Sequence, residues 1–501
     1  MKHGVFREFS LPDSLIRDLH RQNPWWSGGS LPVLPAFRRW PYRKLRDRLM
    51  NPIAPVLVIR GPRQIGKTTL QMQVIRDLLD EGVRPERIVR VQFDELPALR
   101  SLRDDERILR IVEWYEQVVL GMSLNDAAHA DAPAYLFLDE VQNLQSWDVQ
   151  LKSLVDHATA RVMVTGSSAL RIGLGRDSLA GRIHMLEVGP LRLAEIAALR
   201  GMGELRPMQT ENGWAEWLDP DFWRAMVEHA RRQSDLLAAA FSAYSQRGAY
   251  PMPQAHPNVG WAEAADHLTQ TVVRRVIEHD LRLGEIGRKR DPQLLEEVFR
   301  MACRYVGQSP NPATLANEAQ RALGANIGPQ RIRHYLDFLN RSLLIRSIEP
   351  LELRLKRRRG YSKLCLCDHA LRAAWLQEII PLEPPALDAA PHLQDLAGRI
   401  AESAAGYYLA SLNGPSIAHL PERGGEPEVD FVITIGDKRI PVEVKYRRIL
   451  DPLRDTLGLR AFLEKSVNNA PFGLLVARDD AQPVADPRII VISLPAFLLV
   501  R

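Results

Sequence analysis

Cysteine is scarce in this chain: Cys303, Cys365 and Cys367 are the only three in 501 residues. An odd count in so long a protein argues against a secreted disulfide framework. Cys365 and Cys367 alternate along an apolar run, which fits burial in a strand better than metal ligation. Long apolar runs are lacking too, and none reaches the ~18–20 residues that cross a bilayer. The opening Met1-Lys-His-Gly-Val-Phe-Arg-Glu has no apolar stretch of a secretory signal. The expectation is a cytoplasmic protein with no membrane partner. Nor does one sign of charge dominate, with Lys+Arg 66 against Asp+Glu 61, a balance that permits nucleic-acid binding without arguing for it. Internal repeats and low-complexity tracts are missing as well. What remains is an ordinary globular composition, 46% hydrophobic and 25% charged, in a chain too long for one core.

Val56-Leu-Val-Ile-Arg60 reads as a buried strand, followed by a Gly-rich turn and an amphipathic helix carrying Leu70, Val74, Ile75 and Leu78. Further strands are expected at Arg87–Phe93, Ala134–Leu138 and Arg161–Thr165, with helices between them, the pattern of a parallel sheet covered on both faces. From about 200 to 290 the pattern is helical, with a turn at Gly248-Ala-Tyr-Pro251. Two helices, Pro312–Leu323 and Pro329–Leu344, then precede a basic run and a strand at Lys363–Cys367. Pro381–Pro391 reads as a linker, and the rest returns to α/β. Ahead of all this, Pro24-Trp25-Trp26 and the basic stretch around Arg38-Arg39 offer base stacking or, more simply, packing on the next domain.

Gly61-Pro62-Arg63-Gln64-Ile65-Gly66-Lys67-Thr68-Thr69 fits the phosphate-binding pattern G-x-x-x-x-G-K-[ST] in full. The chemistry needs this arrangement. Glycines let backbone N–H groups curl around phosphates, and the helix N-terminus adds its positive end. Lys67 would reach the β- and γ-phosphates of ATP, and the Thr68 hydroxyl would ligate Mg²⁺. Tyr135-Leu-Phe-Leu-Asp139-Glu140 is an apolar strand ending in two acids, with Asp139 suited to the metal and Glu140 to the attacking water. Val162-Met-Val-Thr165-Gly-Ser167 ends in hydroxyls, and Ser167 is a candidate γ-phosphate sensor. Arg182 is a candidate arginine finger, acting in its own chain or in a neighbouring copy of a homo-oligomer.

With these motifs in place, the chain resembles the AAA-type ATPases of archaea and bacteria related to origin-recognition and STAND proteins. The resemblance rests on Arg60–Thr69, Leu136-Phe-Leu-Asp-Glu-Val-Gln142, Thr165-Gly-Ser-Ser168 and Leu179-Ala-Gly-Arg182, with Pro190–Glu195 and Gly248–Pro251 beyond them. Many of those proteins carry a C-terminal domain of unknown function with a winged helix and a PD-(D/E)XK fold. The first 40 residues and the Trp-rich stretch around 214–223 resemble nothing in that family.

Near the C-terminus, Glu428–Lys445 reads as a hairpin turning at Gly436-Asp437. Glu443 and Lys445 lie two apart, hence on one face of a strand. With Asp430 on the opposing strand and Glu402 on an upstream helix, they look like a PD-(D/E)XK nuclease core. Asp430 and Glu443 would hold Mg²⁺, Lys445 would sit by the attacking water, and Glu402 would be an accessory ligand. The plainer alternative is a set of surface ion pairs on a fold that does not cut. The helix with Arg331 and Arg333, and the basic run Lys356-Arg357-Arg358-Arg359, suggest a winged helix touching DNA phosphates.

The expected fold class is therefore α/β: a P-loop NTPase parallel sheet with a helical lid, a winged-helix domain and a C-terminal PD-(D/E)XK-like α/β domain. The boundaries read as an extension at 1–50, an ATPase core at 51–200, a lid at 201–290, a winged helix at 291–380 and a nuclease-like domain at 381–501. The expected function is a Mg-ATP-hydrolysing ATPase acting on DNA. The alternative is an ATP-dependent signalling or assembly switch with an inert nuclease-like fold.

Overall fold

Val56-Leu-Val-Ile59 has branched side chains and no polar alternation, as a strand covered on both faces requires. In a computed structural model describing residues 11–501 except 104, 167–178, 209–212, 281–290, 353–359, 423 and 483, this segment is an inner strand of a sheet. Strands β1 (Val56–Arg60), β2 (Ile88–Gln92), β3 (Tyr135–Asp139), β4 (Arg161–Gly166) and β5 (Ile183–Glu187) form a parallel sheet in the order β2-β3-β4-β1-β5. β1 lies between β4 and β5, with Arg60 opposite Gly166 on one side and Glu187 on the other. The helix Lys67–Asp80 follows β1 directly, and Gly66 at its N-terminus takes a left-handed φ of 90°. The four strands expected from the sequence are present within a residue or so at their ends, while β5 has too little apolar patterning to have been read.

β2 is an edge strand, and unpaired backbone groups on an edge are a liability. Here side chains of the N-terminal segment satisfy them. The indoles of Trp25 and Trp26 both donate to the Ile88 carbonyl, at 3.0 and 2.9 Å. Asn23 donates to the Arg90 carbonyl at 2.8 Å and accepts the Arg90 N–H at 2.6 Å. Gln22 does the same for Gln92, at 3.1 and 2.9 Å. Residues 88, 90 and 92 alternate along β2, so these contacts occupy its outward groups in turn. The Trp pair thus packs on the sheet, the simpler of the two sequence readings.

The chain divides into two compact units, one ending at Val188 and the other beginning at Gly189. In the second unit, Pro292–Arg304, Pro312–Leu323 and Pro329–Arg341 are helices with proline in the first turn, where its missing N–H costs nothing. Asp291 and Asn311 cap two of them, accepting from Leu294 N at 3.1 Å and Ala313 N at 2.9 Å. An antiparallel pair follows, β6 (Ile345–Ile348) and β7 (Lys363–Leu366). A mixed five-stranded sheet ends the chain, order β12-β11-β10-β9-β8, from β8 (Ser416–Leu420), β9 (Val429–Ile435), β10 (Lys438–Lys445), β11 (Gly473–Ala477) and β12 (Ile489–Ser493). The β9–β10 hairpin turns at the expected Gly436, whose φ is 61°.

One reading needs revision. Pro381–Pro391 is not a loose linker: Leu382 and Leu387 are fully buried, and Pro384–Asp388 is a short helix. Proline starts that helix, and the intervening leucines supply its packing. The Trp-rich stretch, which resembles nothing in the family, packs in the second unit, with Trp217 and Trp223 buried and Trp223 stacked on Phe497 at 6.2 Å. All three cysteines are buried and form no disulfide, and for Cys365 on β7 and Cys367 just beyond it this agrees with the strand reading.

Replacing Asn23 with Ala leaves the Arg90 N–H and carbonyl without those partners, a loss of about 1–3 kcal/mol. The expected outcome is a lower denaturation midpoint for the N-terminal unit. An unchanged midpoint would mean the β2 edge does not depend on this contact.

Candidate nucleotide site and C-terminal carboxylate cluster

Residues 61–69 lie where β1 gives way to its helix, at the C-terminal edge of the parallel sheet, the place such sheets offer a ligand. Gly61 cannot be replaced there, since a Cβ would stand 2.1 Å from the Val188 carbonyl oxygen. Gln64 takes a positive φ of 61°, and the loop closes on the Lys67 ammonium, which donates to the Gly61 and Pro62 carbonyls at 3.1 and 2.9 Å. Arg39, buried, donates to the Ile65 carbonyl at 2.7 Å and so ties the basic N-terminal stretch to the loop. These residues suit a polyphosphate: a left-handed glycine, helical N–H groups and a buried ammonium on one loop.

The acids expected to work with this loop are beside it. Asp139 is fully buried at the end of β3. Its Oδ2 accepts from Thr68 Oγ1 at 2.9 Å, and its Oδ1 accepts from the Thr165 hydroxyl on β4. The two groups expected to hold Mg²⁺ thus meet, as that ion's oxygen preference requires. Glu140 takes a left-handed φ of 55°, and its carboxylate accepts from the Gln142 amide. A non-glycine residue held there is strained, a condition that clusters at working sites.

Sequence reasoning missed Arg90. Its guanidinium, 7% exposed, meets Asp139 Oδ2 at 3.0 Å and Gln71 Oε1 at 3.2 Å. The available signal was one arginine inside the otherwise apolar strand Ile-Val-Arg-Val. Asp94 is a second omission. Burial raises its carboxyl, a hydrogen bond from Gln92 opposes, and the charges of Glu140 and Asp139 raise it further.

Arg182 does not reach this site in its own chain. It precedes β5, and its carbonyl accepts from Val56 N at the opposite edge of the sheet, roughly 16 Å along a five-residue strand. Its guanidinium pairs with Asp156 at 2.5 Å. Ser167 and the run Lys356, Arg357, Arg358 and Arg359 lie outside the described residues. Arg333 is exposed on its helix, and Arg331 pairs with Asp291 at 3.1 Å.

In the second unit, Glu402, Asp430, Glu443 and Lys445 converge. The β9–β10 register pairs Phe431 with Val442, so one step further sets Asp430 opposite Glu443. Asp430 Oδ2 accepts from Val444 N at 2.9 Å. Lys445 Nζ lies 2.6 Å from Glu443 Oε1, while Glu443 Oε2 is buried with no hydrogen-bond partner. Two further residues join them. Carboxylate oxygens of Glu402, Glu428 and Asp430 lie within 4.8 Å of one another. Lys363, at the start of β7 and 1% exposed, puts its ammonium against Glu402, 3.1 Å from Glu428 and 3.0 Å from Asp430.

The charges here are strongly coupled. Burial would raise Asp430, yet Lys363, Lys445, the Val444 N–H and the hydrogen bond with Glu402 bring it down to about 2. Burial and then Asp430 push Glu402 well above the carboxylate range, against Lys363. Burial disfavours the Lys363 ammonium, but Asp430, Glu402 and Glu428 together raise it well above the lysine range. A divalent ion implied by the nuclease resemblance does not fit this arrangement. The centre of the triad is taken by an ammonium, and of the two expected ligands Glu443 is paired with Lys445.

Burial, and then the Asp430 charge, push Glu443 up to about 8, with Lys445 opposing. A carboxyl raised from its unfolded value near ~4.3 favours the folded state most at low pH, and that contribution is lost as pH climbs through the raised value. Wild-type Tm should therefore fall relative to Glu443→Gln between about pH 5 and about pH 8. Parallel profiles would show that Glu443 ionises normally in the fold.

Comparison with known proteins adds to this geometry. Residues 54–197 match a family model described as an AAA domain, and residues 239–379 match one described as a domain of unknown function (DUF8612). An uncharacterized protein of Methanocaldococcus jannaschii is 23% identical over 407 residues, 79% of this chain and 77% of its own. Another, from Haemophilus influenzae, is 22% identical over 329 residues, 63% of this chain and 68% of its own. Among solved structures, Cdc6p from Pyrobaculum aerophilum is 12% identical and covers 70% of this chain and 96% of its own, at a TM-score of 0.26. That score supports no shared arrangement of the whole chain. Residues 54–197, which match the AAA domain model, carry the five-stranded parallel sheet with its P-loop-like turn, and a helical region and a mixed five-stranded sheet follow.

Proposed function

We propose that the N-terminal unit binds and hydrolyses Mg-ATP and that the nucleotide cycle drives an action on DNA. The observation that carries the first part is the meeting of Thr68 and Asp139 at 2.9 Å beside the phosphate loop. In this reading the backbone N–H groups of residues 61–69 and the Lys67 ammonium bind the phosphates, and Thr68 and Asp139 hold Mg²⁺, which supplies charge neutralisation when bound. Glu140 orients the attacking water. Thr165 holds the Asp139 carboxylate on one side and Arg90 holds it on the other, so the acid keeps its orientation while nucleotide exchanges.

The DNA part rests on the order of elements in the second unit. Three helices followed by the antiparallel pair β6–β7 have the succession of a winged helix, and Arg333 is exposed on the third of them. Arg331 and the run Lys356–Arg359 would add phosphate contacts. Residues 201–290 would be the lid that senses nucleotide, 291–380 the winged helix and 381–501 a nuclease-like domain. A second reading, an ATP-dependent assembly or signalling switch whose nuclease-like fold is inert, is favoured by the Lys363 ammonium inside the carboxylate triad.

Lys67→Ala should abolish ATP binding, since it removes the cation that pairs with the phosphates. Glu140→Gln should still bind ATP but turn over about 10²–10⁴-fold more slowly. Normal turnover in Glu140→Gln would refute this assignment of the water-orienting acid. For the DNA part, ATPase rates with and without single-stranded, duplex and branched DNA are the test. The rate should rise with at least one of them, and Arg333→Ala should lower the salt slope of binding by about 1. No response to any DNA would leave the assembly switch.

A further inference from the structure

We propose that Lys363 is the resident cation of the Glu402–Glu428–Asp430 triad, standing where a divalent metal would stand, so that the triad binds no metal while this lysine is in place. The proposal is independent of the ATPase reading, because every residue in it belongs to the second unit.

Geometry carries the argument. The three carboxylate oxygens lie within 4.8 Å of one another, near enough to share one ion. An ion bound by all three needs contacts of roughly 2.0–2.6 Å to each, which confines it to the middle of the triad. That middle is the place of Lys363 Nζ, 3.1 Å from Glu428, 3.0 Å from Asp430 and in contact with Glu402. An ammonium has three donors, and here each has a carboxylate to meet. Two cations cannot share the position.

The ammonium is held by a packed surround. The Lys363 residue is 1% exposed, and its Nζ lies 5.3 Å from the centroid of the Phe431 ring. β7 is held beside the helix Gln394–Ala410: Leu366 N donates to Ser403 Oγ at 2.9 Å, and a Cβ on Gly406 would stand 2.6 Å from both Cys365 Sγ and Phe431. His419 lies close by, its Nε2 2.9 Å from the Tyr361 carbonyl. Burial and then the Lys363 charge lower that imidazole to about 4, so it adds no second cation at neutral pH. Around the triad, Lys445 faces Glu443 and Asp430, and no other lysine or arginine is paired with these acids among the described residues.

Charge balance points the same way. A bare triad of carboxylates packed this closely would demand a counter-ion, and one supplied by the chain is present at every metal concentration. The lysine also comes from β7, outside the five-stranded sheet that carries Asp430 and Glu443. One buried cation thereby fastens the small antiparallel pair to the larger sheet.

Mn²⁺ binding to the nucleotide-free full chain, read by electron paramagnetic resonance, tests the proposal. Wild type, Asp430→Asn and Glu428→Gln should bind equal amounts, Glu428 being half exposed and so the gentlest of the three positions to alter. Lys363→Met, which keeps the apolar stem, should gain one Mn²⁺ per chain, and Lys363→Met combined with Asp430→Asn should lose it again. A wild-type Mn²⁺ site that disappears in Asp430→Asn or Glu428→Gln would overturn the proposal. So would a folded Lys363→Met chain that gains none. If Lys363→Met does not fold, the comparison of wild type with Glu428→Gln decides alone.

Discussion

Burying a carboxylate is costly unless every lone pair finds a partner, and the N-terminal unit is arranged around one such group. Asp139 has no solvent exposure and takes contacts from Thr68, Thr165 and Arg90, which lie on three different elements. The helix after the phosphate loop, the central strand β4 and the edge strand β2 are each fixed relative to β3 by this one side chain. Arg90 reaches inward from β2, whose inner edge pairs with β3 and whose outer edge is completed by Gln22, Asn23, Trp25 and Trp26. A chain of polar contacts thus runs from the first helix to the floor of the candidate nucleotide site.

The second unit inverts that arrangement. There an ammonium is the buried hub and carboxylates surround it, with Lys363 meeting Glu402, Glu428 and Asp430. Both hubs answer the same electrostatic demand, since an interior charge persists only when paired and hydrogen-bonded. They differ in what they leave open. At Asp139 the partners are mostly neutral hydroxyls, which can yield to a cation. At Lys363 the position a cation would use is already filled by one.

Local chemistry was legible in the sequence and distant chemistry was not. Residues 61–69 and the pair Asp139-Glu140 announce themselves because loop, helix start and strand end are consecutive, and the β9–β10 hairpin does so through Gly436. Arg90 and Lys363 could not be assigned, because Asp139 lies 49 residues from Arg90, Glu402 and Asp430 lie 39 and 67 residues from Lys363, and neither cation belongs to a spaced motif. Convergence of Glu402, Asp430, Glu443 and Lys445 was foreseen, whereas the cation among them was not. Pro381–Pro391 misled for a different reason. Proline signals a break in regular structure, but burial is decided by the leucines between, and those pack.

The strap over β2 also fixes an order of events during synthesis. Gln22 leaves the ribosome 70 residues before the Gln92 backbone it pairs with. At ~5–20 residues per second that interval is roughly 4–14 s. The earliest-made part of the unit must therefore wait, undocked, until the strand it covers has been translated and paired with β3, whose own residues come later still. Vectorial translation thus makes residues 22–26 before both strands on which their docking depends.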